Sequence, residues 1–362
     1  MAIPNPDITA LFEESTQLLR DLIKTPSFSR EESQTADLIE FFFEEAGITA
    51  QRVGNNVWAW NKYFDASKAS ILLNSHHDTV KPNAGYTLDP FSPIEKDDNL
   101  FGLGSNDAGG CLVGLIAAFR HFQGREIPYN LCIAATAEEE ISGKNGIESI
   151  LADLPEFELA IVGEPTQMQM AVAEKGLMVI DATLKGKAGH AAREEGINAI
   201  HLALDDLNRI RDFSFQKVSP YLGKSKVSAT IIQAGSQHNV VPDTCTYTLD
   251  VRVTDSYTLE EAFDELKSNL KADLKVRSMR LKSSKLPDGH QMMATAKALG
   301  ITCFGSPTLS DQALIPYPSV KIGPGDSARS HTADEYIGIQ EIQEGIEGYI
   351  RLLETYMAQE KQ

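Results

Sequence analysis

Cysteine is scarce in this chain, and what there is lies dispersed. Cys111, Cys132, Cys245 and Cys303 sit in apolar surroundings and no two form a C-x-x-C pair. That excludes a disulfide-stapled scaffold and a thiolate metal site, and predicts reduced thiols in the core. Basic charge is also short: 33 Lys and Arg stand against 51 Asp and Glu, a formal charge of -18. Such a surface repels nucleic acid and anionic membranes, so neither is an expected partner. No apolar run approaches the ~20 residues of a membrane span; Ala108 to Phe119, the longest, is broken by Gly109, Gly110 and Gly114. Met1 to Thr9 lacks a positive segment followed by an apolar one, so no secretory signal is expected and a cytoplasmic location is. Repeats of solenoid period and low-complexity tracts are missing too.

At 362 residues the chain is long enough for two hydrophobic cores. In the first half, helix and strand patterns alternate. Thr9–Leu22 has helical apolar spacing, and Ser29 with Glu32 reads as a capping box opening a helix that Gly47 closes. Trp58–Trp60, Ile71–Leu73, Leu131–Ala135 and Leu159–Val162 read as strands. The last three are continuous apolar runs, as suits strands buried on both faces of a mainly parallel sheet. Helices are expected at Ala108–Phe122 and Ile339–Tyr356. Between about Gly176 and Leu281 the rhythm becomes β-α-β twice over, with strands at 177–184, 227–233, 246–252 and 274–279, helices at 198–210 and 259–270, and a loop at 213–225. The expected architecture is therefore α/β: a mainly parallel-sheet catalytic domain over residues 1–174 and 284–362, with an inserted ferredoxin-like α+β domain over 175–283.

Five segments place a hard ligand just after an apolar run: Ser75-His76-His77-Asp78, Asn106-Asp107, Glu138-Glu139-Glu140, Gly163-Glu164-Pro165 and Ser330-His331. Parallel sheets hold ligands beyond the carboxyl ends of their strands, so these distant residues can meet at one edge. Mixed carboxylate and imidazole suits two divalent cations sharing one carboxylate. Asp107 can bridge, with His76 and Glu164 on one ion and Glu140 and His331 on the other. Adjacent residues diverge, so one of Glu139 and Glu140 is free to act as a base. Asp78, two residues after His76, is placed to accept that imidazole's second N–H. The glycines after Asp107 are expected to let backbone approach the ions.

The runs His76-His77-Asp78-Thr79-Val80, Asn106-Asp107-Ala108-Gly109-Gly110, Thr136 to Glu140, Gly163-Glu164-Pro165-Thr166, Gly189-His190 and His331 to Glu335 resemble those of the co-catalytic zinc aminoacylase and peptidase family, in order along nearly the whole chain. The resemblance implies two divalent ions, probably zinc, with cobalt or manganese also compatible. It implies His76, Asp107, Glu140, Glu164 and His331 as ligands, Glu139 as general base and Asp78 as orienter. It also implies a lid histidine at His190 that holds the oxyanion, a substrate-carboxylate site at Asn239 and Arg252, and a homodimer formed through the lid. The chain departs from the family's pattern at Arg193-Glu194-Glu195, where many members carry a proline.

Alone, a histidine after a strand is more often a polar core or surface residue than a ligand, and three successive glutamates are more often a solvated loop; that bland reading is kept for Glu138. No metal role is expected of His77, and His121, His201 and His290 read as structural. The function expected is hydrolysis of the amide of an N-acyl amino acid, closest to the N-acylornithine or N-acylcitrulline deacylases of arginine synthesis. Succinyl-diaminopimelate desuccinylases, dipeptidases and carboxypeptidases share every ligand. A silent amino-acid-binding relative would be marked by loss of the base or a ligand, and neither is lost.

Overall fold

The structure, a computed structural model, describes residues 7–359; the first six positions of the Met1–Thr9 stretch lie outside that range. The chain forms two compact units. The first comprises the segments ending at Val172, spanning Leu286–Phe304 and beginning at Ser310; the second comprises Ala173–Lys285 and Gly305–Leu309.

Four parallel strands make the heart of the first unit, in the order Asn130–Thr136, Ser70–His76, Leu159–Val162 and Ser319–Lys321. The hairpin Ala50–Val53 and Asn56–Trp60 joins one side antiparallel, and Met170–Glu174 runs antiparallel on the other. Every residue of Ser70–His76 and Asn130–Thr136 is buried, as their unbroken apolar character requires. One face is covered by helices Ile8–Lys24, Gly110–Gln123 and Ile339–Met357, where Leu19, Leu115, Phe119, Ile346 and Leu353 lie wholly within the core. A thinner layer of Ile147, Ile150, Phe157 and Ile315 covers Leu72, Cys132 and Ala160 on the other. At about 1.5–3 kcal/mol per fully buried large apolar side chain, these two layers are what hold the strand ends in register.

The expected capping box at Ser29 and Glu32 is not formed. The helix begins at Ser33, and Glu32 sends its carboxylate back to the Arg30 N–H at 2.6 Å and to Glu138 N–H at 3.2 Å. Gly47, with φ 70°, ends that helix as its sequence position suggests.

In the second unit, four antiparallel strands run in the order Lys226–Ala234, Thr244–Val253, Gly176–Lys185, Asp273–Val276. Helices Ala199–Asp212 and Leu259–Asn269 share one core with the sheet through Ala203, Ile210, Ala262 and Leu266. This is the ferredoxin-like order. A complete capping box between Thr258 and Glu261 starts the second helix. The 213–225 stretch is more than a loop: Val218–Ser219 pairs with Gly223–Lys224, and Phe215 is buried against Tyr257. Among the described residues no helix is long and apolar enough to cross a membrane, and the four cysteines are free thiols, Cys303 being only half-buried.

Candidate metal centre and active site

His76 is the last residue of its strand, Glu139 and Glu140 follow Asn130–Thr136, Glu164 follows Leu159–Val162, and His331 lies on the segment after Ser319–Lys321. All open at the same sheet edge. Two groups result, His76 with Glu139 and Glu164, and Asp107 with Glu140 and His331, each with its donor atoms within 4.8 Å of one another. Asp107 connects them. Its Oδ1 lies 3.4 Å from His76 Nε2, and its Oδ2 lies 3.6 Å from His331 Nε2. Glu140 Oε2 is 2.9 Å from His331 Nε2, whereas Glu139 and Glu164 face His76 Nε2 at 3.8 and 3.7 Å. The two adjacent glutamates thus diverge as expected, but both reach the cleft, one on each side.

The electrostatics are those of a site short of positive charge. Burial, opposed by His76 and aided by Glu164, pushes the Glu139 carboxyl well above its usual range. Burial likewise holds Glu164 at about 8. Burial works against charging His76, yet the carboxylates of Glu139, Asp107, Asp78 and Glu164 drive its pKa well up. The Glu140 hydrogen bond raises His331 to about 9. His76 Nε2 is buried without a hydrogen-bond partner. A lone imidazole nitrogen aimed among crowded carboxylates fits a cation-binding centre, since each cation would replace protons these groups otherwise share.

Asp78 does more than expected. His76 Nδ1 donates to its backbone carbonyl at 3.0 Å and faces its carboxylate Oδ1 at 3.4 Å. The carboxylate also accepts the backbone N–H of Glu139 at 3.0 Å, that of Glu140 at 3.2 Å and the Ser29 hydroxyl at 2.7 Å. It therefore positions the turn that carries both glutamates. Glu138 corrects a second expectation, for it is buried rather than solvated. With φ 54°, it turns its side chain inward to accept from Asn145 Nδ2 at 2.8 Å and Asn145 N–H at 3.3 Å. His77 also points away, between Thr35 Oγ1 at 2.9 Å and the Asn55 carbonyl at 2.8 Å, and burial holds its pKa down at about 4.

The glycines after Asp107 serve packing. A Cβ on Gly109 would stand 2.4 Å from the Gly104 carbonyl oxygen and 2.6 Å from Leu19, and one on Gly110 would stand 2.3 Å from Ile337. They let the Asp107 turn and the next helix settle on the core. Sequence reasoning missed Asp311 and Lys321, both buried, whose charges act on Glu139 and Glu164 respectively. Ser29 was read as a cap. A buried charge within a strand was the only available signal for Lys321.

His190, Asn239 and Arg252 belong to the second unit. Exposed His190 pairs with Val240 across a short antiparallel bridge, and Ala191 N–H donates to the Asn239 carbonyl at 2.9 Å, which brings His190 and Asn239 together. Arg252 is engaged side-on by Asp250 at 2.8 and 3.0 Å, leaving the other edge of its guanidinium for an anion. Elsewhere, His290 caps the helix at Gln291–Leu299 by accepting from Met292 N–H at 3.1 Å.

Imidazoles and carboxylates gathered at the carboxyl edge of a parallel sheet, with a bridging geometry at Asp107, define the class of metal-dependent hydrolases. The chain belongs to peptidase family M20/M25/M40, whose family model matches residues 72–355. It is 31% identical to the acetylornithine deacetylase of Proteus mirabilis, over 95% of this chain and 97% of that one. Its fold is similar to aminopeptidase PepT from Bacillus cereus, with TM-score 0.78, 19% identity, and 95% and 98% of the two chains covered. It is also similar to Bacillus subtilis YXEP, described as a dinuclear metal binding peptidase of the M20 family, with TM-score 0.74, 17% identity, and 96% and 99% covered.

Proposed function

We propose that this chain hydrolyses the amide of an N-acyl amino acid, with N2-acetyl-L-ornithine the first substrate to test and acetylcitrulline the second. The observation that carries the reading is the Asp107 carboxylate, whose two oxygens face two different imidazoles. His76, Asp107 and Glu164 would hold one divalent cation, and Asp107, Glu140 and His331 the other, with zinc the first choice and cobalt or manganese compatible donors' partners. Such ions, when bound, acidify water and polarise the acyl oxygen.

The protein's part is positional. Glu139, which faces His76 in the cleft, would take the proton and return it to the leaving amine. Asp78 keeps that turn in place. On the lid, His190 would donate to the oxyanion, while Arg252 and Asn239 would hold the substrate carboxylate. A succinyl substrate would need an added cation such as Lys175, Arg193 or Arg329; of these, Arg329 is engaged by Glu341 at 2.6 and 3.1 Å.

A homodimer through the lid is supported by Ile200 and Leu204 on the Ala199–Asp212 helix and by Ile231 and Ile232 on the edge strand, all exposed. Free cysteines suit the cytoplasm, and the substrate suits arginine biosynthesis. The test is a kinetic panel of acetylornithine, acetylcitrulline, succinylornithine, succinyl-diaminopimelate and dipeptides with the metal-loaded protein. Highest kcat/KM on an acetylated ornithine or citrulline supports the reading. Turnover confined to succinylated compounds or dipeptides overturns it.

A further inference from the structure

Glu335 is 2% exposed and touches neither imidazole. Its Oε1 accepts the backbone N–H of Asn106 and of Asp107, each at 2.9 Å, and its Oε2 accepts that of Gly104 at 3.1 Å. Its own carbonyl accepts from Gly102 N–H at 3.0 Å. This turn cannot satisfy those amides itself, because Gly104 is left-handed with φ 74° and Asp107 is extended with φ -114° and ψ 98°. A single carboxylate therefore fixes the backbone from which Asp107 projects.

The same short segment carries His331, four residues earlier, and is anchored at further points. Asn83 Nδ2 donates to the His331 carbonyl at 3.2 Å, Asp334 accepts the N–H groups of Thr87 and Leu88 at 2.8 and 2.9 Å, and Tyr336–Gly338 pairs with Asn99–Phe101. Glu335 thus joins the segments that bear two members of one donor group, Asp107 and His331. Asp78 does the same for the Glu139–Glu140 turn.

We propose that Glu335 is a positioning residue that sets the Asp107 carboxylate against His331 and so determines the affinity of the cation shared by Asp107, Glu140 and His331. The inference rests on the donor assignment made above. Outer partners of this kind typically change metal affinity 10–100-fold. The test titrates Zn2+ and Co2+ into metal-free wild type, Glu335→Gln and Asp334→Asn, following heat and the Co2+ spectrum, with circular dichroism and thermal melting alongside. Glu335→Gln offers an amide N–H where an acceptor is required. It should weaken one of the two binding steps by about 10–100-fold, spare the other, and recover kcat in excess metal with little change in KM.

Asp334→Asn removes a charge from the same segment, at a side chain whose bonds go to Thr87 and Leu88 and not to the Asp107 turn, and should leave both steps unchanged. If Glu335→Gln cannot be purified folded, Glu335→Asp, which keeps the charge but loses reach, should give the same selective loss. Both metal steps at wild-type affinity, or a lowered melting temperature with the two steps weakened alike, overturn the proposal. A wild type that takes up no divalent metal overturns the donor assignment and this inference with it. Two-metal binding that is insensitive to Glu335 overturns the inference alone.

Discussion

Glu139 and His77 are close in space to the same strand end but have opposite tasks. Glu139 faces the cleft, and Glu139→Gln should keep metal uptake while lowering kcat by about 10²–10⁴-fold, the usual contribution of a general base; unchanged turnover removes it from that role. His77 is held neutral by burial, at about 4 against an ordinary value of 6.5. Between those two pH values the unfolded chain binds a proton that the folded one refuses. The stability contributed by neutral His77 is therefore complete above about pH 6.5 and is lost as pH falls towards 4, by roughly 3 kcal/mol in all. Urea midpoints measured from pH 4 to 8 should show a shallower acid slope for His77→Gln than for wild type, and parallel curves would contradict the assignment. His76, Glu139, Glu140 and Glu164 were legible because each ends or closely follows a buried strand. Glu138 was misread because direction, not identity, decides what it touches, and a one-residue step with positive φ sends it inward.

Among the elements, the turn from Asp107 into Gly110–Gln123 leaves no room for a side chain at Gly109 or Gly110. Gly110→Ala drives a methyl into Ile337 and should cost about 1–3 kcal/mol, as overpacking does; thermal melting measures it, and an unchanged midpoint would show that Ile337 gives way freely. On the second unit, Lys226–Ala234 is an edge strand with Ile231 and Ile232 exposed side by side. Ile232→Lys should shift a dimer towards monomer in light scattering with little loss of fold, since the side chain already meets solvent. Periodicity located the buried parallel strands and the amphipathic end helix to within a few residues. It failed at Ser29–Glu32, where local cap chemistry yielded to a tertiary demand: Ser29 donates to the Asp78 carboxylate and Glu32 accepts the Glu138 N–H.

For the whole molecule, metal and protons compete for one cleft. Glu164, at about 8 through burial, and His331, at about 9 through Glu140, must both lose protons to take a cation. Metal affinity should therefore rise with pH from about 7 to 9, with protons released on binding. Calorimetric titration in buffers of different ionisation heat checks this, and a pH-independent affinity would refute it. Chelation should lower the melting temperature, because a ligand at 100 times its Kd contributes about 2.7 kcal/mol to the folded state.

The candidate donors, their order along the chain and the apolar runs that precede them were legible in the sequence alone, because apolar runs and hard donors report burial and chemistry residue by residue. What sequence could not decide was which oxygen faces which partner. That Asp107 looks both ways, that the Asp78 and Glu335 carboxylates hold backbone amides, and that Glu138 is buried follow from backbone directions in irregular turns. Those directions are set by contacts between segments from seven to 228 residues apart, and periodicity does not encode them.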